Sequence, residues 1–329
     1  MWGRPDHALK LGLRSAAWVK AGRGWNGRLH PQCHVTALPD GAIRPSPMEP
    51  NIPDVPAVTK YLAPLVQPRE QERPFGFKGP SKIPRPVVLV LPDLCVRAAL
   101  LRMDSLPDRY AEQESLIRWR LEQDRLFPMA GTRLGFQVFK SSEQKAGRAL
   151  TVLAVVIREQ IQAQYETLCA DLGLDPVDVG IAGLRLWNLW VKGGEGRRVS
   201  PSDDVILVNL LDGGLTIAIF QRGVPVFFRI KGQPVPKGTD TRPSTEAVLQ
   251  ELASTFLYYQ DMKNELAPKR LLLFVEEPFP SLRQEIAETF ELSVSETGWE
   301  AAQGLGWGRR SEEPSSALMA AVAGLAGRP

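Results

Sequence analysis

The sequence predicts an α/β protein large enough for two domains, or for one large domain carrying an insertion. Three observations predict it. The chain has 329 residues, 43% of them hydrophobic and 23% charged, which supports a sizeable core and excludes a disordered chain. Runs of β-type residues alternate with helix-period stripes along most of its length, as in sheets covered by helices. The clearest stretch is Asp204 to Gly232, DVILVNLLDGGLTIAIFQRGVPVFFRIKG. Val205–Val208 is a buried-strand run and Asp212-Gly213-Gly214 is turn chemistry. Leu215–Phe220 returns, and Gln221-Arg222-Gly223 turns again into Val224–Ile230.

The other elements follow in order. Leu9–Ala21 reads as a strand, Gly22–Gly27 as a turn and Cys33–Leu38 as another strand, before a turn at Pro39-Asp40-Gly41. Val55–Val66 is helical, with Val58, Tyr61, Leu62 and Leu65 on one face. Residues 67–84, rich in Pro, Lys, Arg and Gly, read as an exposed loop. Pro86–Pro92 and Val96–Met103 are strands. Asp108–Arg125 is a helix striped by Leu116, Ile117 and Leu121. Leu134–Lys140 and Leu150–Ile157 are strands flanking the polar turn Ser141–Arg148, and the helix Arg158–Leu172 stops at Gly173. Val177–Val191 continues as strand and helix, and residues 193–202 form a linker. After a polar loop, Gln233–Ser244, Ser244 caps a helix running to about Leu266, lined by Leu249, Leu252, Phe256 and Tyr259. Arg270–Val275 is a buried strand, and Pro280–Phe290 and Ser315–Ala326 are helices.

Charge and cysteine content exclude several classes. The 40 basic and 37 acidic residues are interspersed, and no basic run suggests nucleic-acid binding. Cys33, Cys95 and Cys169 are odd in number and widely spaced, which implies no disulfide framework and fits a reducing compartment. No apolar run approaches the length of a membrane span, and MWGRPDHALK lacks the core of a signal peptide. A soluble cytoplasmic protein is expected.

Familiar catalytic constellations fail on inspection. Gly22-Arg23-Gly24-Trp25-Asn26-Gly27 spells a dinucleotide fingerprint, but the following Arg-Leu-His-Pro does not open a helix, so a hairpin turn is expected. His30, Cys33 and His34 suggest a metal cluster. No fourth ligand is near, however, and Cys33 and His34 would face opposite ways on a strand, so no metal is expected. No Gly-x-Ser-x-Gly elbow occurs, and His7, His30 and His34 are the only histidines.

A family resemblance rests on segments in a fixed order. They are VVLVLPDLCVRAALLRMDSLP, the amphipathic helix closing at Phe127-Pro128, LTVLAVVIREQIQAQYETLCADLGLDPVDVGIAGLRLW, DDVILVNLLDGGLTIAIFQRGVPVFFRIKG and the closing ALMAAVAGLAGR. In this order they resemble the PilM family of actin-like type IV pilus assembly proteins, while residues 1–84 match poorly. The resemblance implies an actin-like (ribonuclease H-like) two-domain α/β fold with a small inserted α+β subdomain. Residues 1–85 and 173–200 would form the first domain, 86–172 the insertion and 203–300 the second domain, with 301–329 returning to the first. It also implies a place beneath the inner membrane. There a groove between the first large subdomain and the insertion would hold the cytoplasmic tail of a bitopic pilus protein; a related module occurs in type II secretion platforms. Arg97, Leu101, Trp119 and Glu122 are the expected partner-binding residues. Trp119, off the apolar stripe of its helix, suits either packing of the insertion against the rest of the protein or a wall of the peptide groove.

The same resemblance locates a nucleotide site and its departures. In actin-like ATPases two hairpins cradle the phosphates. The first reads hydrophobic-Asp-hydrophobic-Gly followed by small hydroxyl residues; here it is Leu9-Lys10-Leu11-Gly12-Leu13-Arg14-Ser15. Lys10 stands where the acid would orient magnesium's waters, and an ammonium repels the metal. The second hairpin, which ends in Gly213-Gly214, carries Asn209 and Leu211 in place of an acid and a glycine. Leucine fills space where backbone N–H groups would approach phosphate. The third segment, usually ending in paired glycines beneath the adenosine, runs into Glu276-Glu277-Pro278. One carboxylate about 5 Å from a phosphate costs roughly 3 kcal/mol, about two decades of affinity. The expectation is a non-enzyme scaffold without ATP or Mg²⁺. Two alternatives stand beside it: an unusual ATP-binding protein in which Lys10 and Arg14 replace the metal's charge, and a self-assembling actin-like filament protein.

Overall fold

A computed structural model of the chain describes residues 5–23, 29–66, 83–124, 127–139, 150–193, 204–233, 244–262, 268–276, 279–296, 302–303, 305, 307 and 315–326. Its strands are β1 (His7–Leu11), β2 (Ser15–Arg23), β3 (Leu29–Ala37), β4 (Arg85–Leu91), β5 (Arg97–Met103), β6 (Thr132–Phe139), β7 (Leu150–Arg158), β8 (Leu174–Ile181), β9 (Asp204–Leu210), β10 (Gly214–Gln221), β11 (Val224–Gly232), β12 (Arg270–Val275) and β13 (Ser293–Glu296). Its helices are α1 (Val55–Val66), α2 (Tyr110–Gln123), α3 (Glu159–Asp171), α4 (Ala182–Lys192), α5 (Thr245–Met262), α6 (Pro280–Phe290) and α7 (Ser316–Ala326). The chain forms two compact units. One comprises Met1–Asp93, Gln160–Arg197 and Gly298–Pro329, the other Leu94–Glu159 and Arg198–Thr297.

The first unit is built on a five-stranded sheet ordered β3-β2-β1-β4-β8, with β4 parallel to β1 and β8 parallel to β4. Leu9–Ala21 is two strands here. The Gly12 amide bonds the Ser15 carbonyl at 3.0 Å and closes a hairpin, with Leu11 opposite Ala16. β1 is buried along its whole length, Lys10 included, and Gly12 is the one turn-type residue at the break. Arg23 pairs with Leu29, making β2 and β3 a hairpin, while residues 24–27 lie outside the described set.

α7 packs on this sheet because its side chains are small. Ala317 to Ala323 are all buried, and a Cβ on Gly324 would lie 2.7 Å from Val90 Cγ2. α4 buries Leu186, Leu189 and the pair Trp187 and Trp190, whose rings lie 5.3 Å apart. On α1 the buried line is Val58, Leu62 and Val66, the i, i+4 and i+8 positions; Tyr61, expected on that face, is exposed.

The second unit holds two sheets. The larger is ordered β11-β10-β9-β12-β13 and the smaller β5-β7-β6. Asp212 and Gly213, then Arg222 and Gly223, take positive φ at the two tight turns of the larger sheet, 57° and 72°, then 51° and 78°. Both central residues of each turn are therefore left-handed, the form that matches strand twist and favours glycine. α5 and α6 cover this sheet with Val248, Leu252, Tyr259, Leu282 and Ile286. Leu249 and Phe256, expected on the buried stripe of α5, are only partly buried at its margin. The Ser244 hydroxyl accepts the Ala247 amide at 3.4 Å and starts α5; residues 263–266, expected to extend it, lie outside the described set. In the smaller sheet, Leu101, Met103, Val152, Ala154 and Val156 pack against Ile117 and Leu121 of α2.

The expected insertion, residues 86–172, is too long at both ends. β4 is hydrogen-bonded between β1 and β8, so it belongs to the first unit, and the second unit begins at Leu94. The boundary behind β7 falls at Glu159, which leaves nearly all of α3 in the first unit. Most of the 67–84 loop, the 141–148 turn and residues 194–202 of the linker lie outside the described residues.

Candidate functional site

The structure groups the expected nucleotide-site residues on two hairpins. Lys10, Gly12, Arg14 and Ser15 share the β1–β2 hairpin of the first unit. Lys10 pairs with Ala17 of β2 and Val90 of β4, between the buried Leu9 and Leu11, and is 1% exposed. Both faces of β1, a central strand, are covered, so Lys10 is buried like its neighbours. Arg14 and Ser15 are half-buried, and the Arg14 carbonyl accepts the Leu38 amide at 2.6 Å.

Asn209, Leu211, Gly213 and Gly214 share the β9–β10 hairpin of the second unit. Asn209 pairs with Thr216 and Phe274, and all of Asn209, Leu211, Asp212 and Thr216 are buried. The Gly214 amide bonds the Leu211 carbonyl at 3.0 Å, and the Gly213 carbonyl accepts the Gln233 amide at 2.9 Å. Val275 is opposite Leu210, so Glu276 leaves β12 at the same end of the sheet as Leu211. Glu277 lies outside the described residues.

Two residues that sequence reasoning missed act at these places. Leu94 lies against the second turn: a Cβ on Gly214 would be 3.0 Å from Leu94 Cγ. An apolar side chain thus packs against the backbone of the β9–β10 turn. Asp93 is 3% exposed, and its Oδ1 accepts the Gly183 amide at 2.8 Å, at the start of α4. The chain's own carboxylate therefore takes the position at which a helix N-terminus favours an anion. No spacing in the sequence announces either contact.

Further along α4, Arg185 is 5% exposed and paired with Asp178. Gly180 has no Cβ, which leaves room for the guanidinium, since a Cβ there would collide with it. Burial, together with Arg185, lowers the Lys192 pKa. At the opposite end of β1, burial lowers the His7 pKa against the attraction of Asp6. Its ring lies 5.0 Å from Trp18, over which the Arg85 guanidinium is placed at 5.5 Å. Among the described residues no three His, Cys, Asp or Glu side chains gather as metal ligands. Cys33 is half-buried and His34 exposed on β3.

The expected partner-binding residues divide. Arg97 and Glu122 are exposed, and Trp119 is 52% exposed on α2. Leu101 is 3% exposed and packs with Ile117 and Leu121, so it is a core residue of the insertion rather than a contact for a partner. Its place on β5 alternates inward, toward α2.

The two sheets, the crossed order of strands and the paired hairpins define an actin-like α/β protein. No protein-family model matches the chain, and no curated protein is similar to it in sequence. Among solved structures, the chain is similar to the PilM-PilN type IV pilus biogenesis complex, with a TM-score of 0.71, 17% identity, and 98% of each chain covered. A protein of Bacteroides thetaiotaomicron with an actin-like ATPase fold and unknown function gives a TM-score of 0.49 at 12% identity, covering 91% of this chain and 94% of that one. The cytoplasmic domain of EpsL, an inner membrane component of the type II secretion system of Vibrio cholerae, gives 0.46 at 13% identity, covering 91% and 93%. The fold is actin-like and, within that class, PilM-like. Among the described residues no helix is long and apolar enough to cross a membrane.

Proposed function

We propose that this protein is a non-catalytic scaffold of a type IV pilus or type II secretion assembly platform, recruited to the inner membrane by the cytoplasmic tail of a bitopic partner. The observation that carries the non-catalytic reading is Lys10, buried on β1 where the resemblance puts a metal-orienting acid. Magnesium takes hard oxygen ligands, and a fixed ammonium neither ligates it nor tolerates its charge nearby. Leu94 packed on Gly214 and Asp93 on the α4 amide add to this, since the one is apolar beside the second hairpin's turn and the other already puts a carboxylate at the start of α4. These residues do not fit a magnesium–nucleotide complex, and no chemical step is assigned to one.

The scaffold reading is supported by similarity in fold to PilM, seen in a complex with PilN. The chain's own residues would act by recognition. Extended peptide binds by backbone pairing and by side-chain pockets on alternate residues. Trp119, flanked on its helix by exposed Glu122, supplies a rigid aromatic anchor with a polar rim. Photocrosslinking from a benzophenone amino acid at position 119, in the native host, tests the reading. The expected adduct joins the chain to the cytoplasmic tail of a membrane protein. Adducts with soluble proteins alone would overturn it.

A further inference from the structure

The second unit opens an apolar cavity between β11 and α5. Its volume is about 330 Å³, and it is lined by Phe227, Phe228, Arg229, Ser254, Thr255 and Tyr258. Tyr258, which lines it, is 56% exposed, and the preceding Leu257 on the same helix is 64% exposed. The core does not require them there, because α5 packs inward through Val248, Leu252 and Tyr259. The Phe227 ring lies 6.1 Å from that of Tyr258, so the exposed aromatic is braced against the strand. Adjacent large apolar side chains on the outer face of a helix, beside a concavity, differ from the scattered exposed hydrophobics of an ordinary surface.

Charge defines what the cavity would take. Arg229 and Lys231 lie two residues apart on β11, hence on one face, and both pair with Glu251. Arg229 Nη1 is 3.6 Å from Glu251 Oε2, and Lys231 Nζ meets Oε1. Two cations share one carboxylate, which leaves a surplus positive charge, and their side chains are 46% and 45% exposed. An occupant that fills the cavity and answers this surplus carries a large apolar side chain beside a carboxylate. A basic segment would meet the same surplus as repulsion.

We propose that the β11–α5 groove is a second docking site, for a protein segment presenting Phe, Trp or Leu next to Asp or Glu. The site does not depend on the scaffold reading. The test selects random phage-displayed peptides of about twelve residues on the intact chain. The winners are then titrated by fluorescence anisotropy against wild type, Tyr258→Ala and Arg229→Glu. Both positions are surface-exposed, and thermal melting confirms folding of the variants. The expected consensus pairs an aromatic or Leu with an acid within two positions, and each variant weakens binding about tenfold. Added salt weakens it further. A basic consensus, affinities unchanged in both variants, or no peptide selected would each overturn the proposal. So would a wild-type dimer in sedimentation that Tyr258→Ala dissociates, which would make the occupant a second copy. Binding of phosphatidylglycerol vesicles that Tyr258→Ala abolishes would also overturn it, in favour of a membrane surface.

Discussion

The β1–β2 and β9–β10 hairpins both join antiparallel strands, yet they differ in the residues at their centres and in what packs on their turns. The first buries a lysine, Lys10, inside a strand that is covered along its whole length. The second is neutral at Asn209 and is covered by an apolar side chain, Leu94. A hairpin can thus keep its register, hydrogen bonds and burial with quite different residues at its centre.

The contrast can be broken at Lys10. Lys10→Ala empties a fully buried place in the first unit and should cost about 3 kcal/mol in urea unfolding. Asn209→Ala removes a smaller buried side chain and should cost about 1 kcal/mol. Equal losses would mean that the two hairpins depend on their central residues alike. Gly213→Ala tests the second turn, where φ is +72°. An alanine there is strained by about 1 to 2 kcal/mol, whereas Gly12, for which the structure shows no positive φ, should accept alanine at lower cost.

The smallest effect is alkaline and gives each unit its own reporter. Burial pushes the Cys169 thiol in the first unit from 9.0 up to about 12. Burial, with Asp204 nearby, pushes the Tyr259 hydroxyl in the second from 10.0 up to about 12. Each group stays protonated when folded at a pH where it ionises unfolded. Its contribution is complete below the unfolded value and is lost as pH rises to the folded one. Cys169→Ala should therefore flatten the fall in urea midpoint from pH 9.0 to about 12. Tyr259→Phe should flatten it only from pH 10.0.

How much of this was legible in the sequence differs between the same two hairpins. Asp212-Gly213 and Arg222-Gly223 mark turns that demand left-handed backbone, and all three strands from Asp204 to Gly232 lie where the sequence puts them. Gly12-Leu13-Arg14 lacks that signature, and the strand-type residues on either side read as one continuous strand. β4 was misassigned for a related reason. A buried parallel strand reads as a plain apolar run, which does not disclose the sheet it joins. Leu94 and Asp93 act through contacts with Gly214 and Gly183, far away in sequence, so no local pattern could expose them. Helical periodicity did separate the exposed Trp119 from Ile117 and Leu121. It misplaced Tyr61, because the buried face of α1 is a single narrow line.

Calorimetric titration of the chain with ATP, with and without magnesium and up to millimolar nucleotide, tests the central claim most directly. The account predicts no saturable heat under either condition. Magnesium-dependent binding in the micromolar range would contradict it, and would mean that Lys10, Asn209 and Leu94 leave a working nucleotide site.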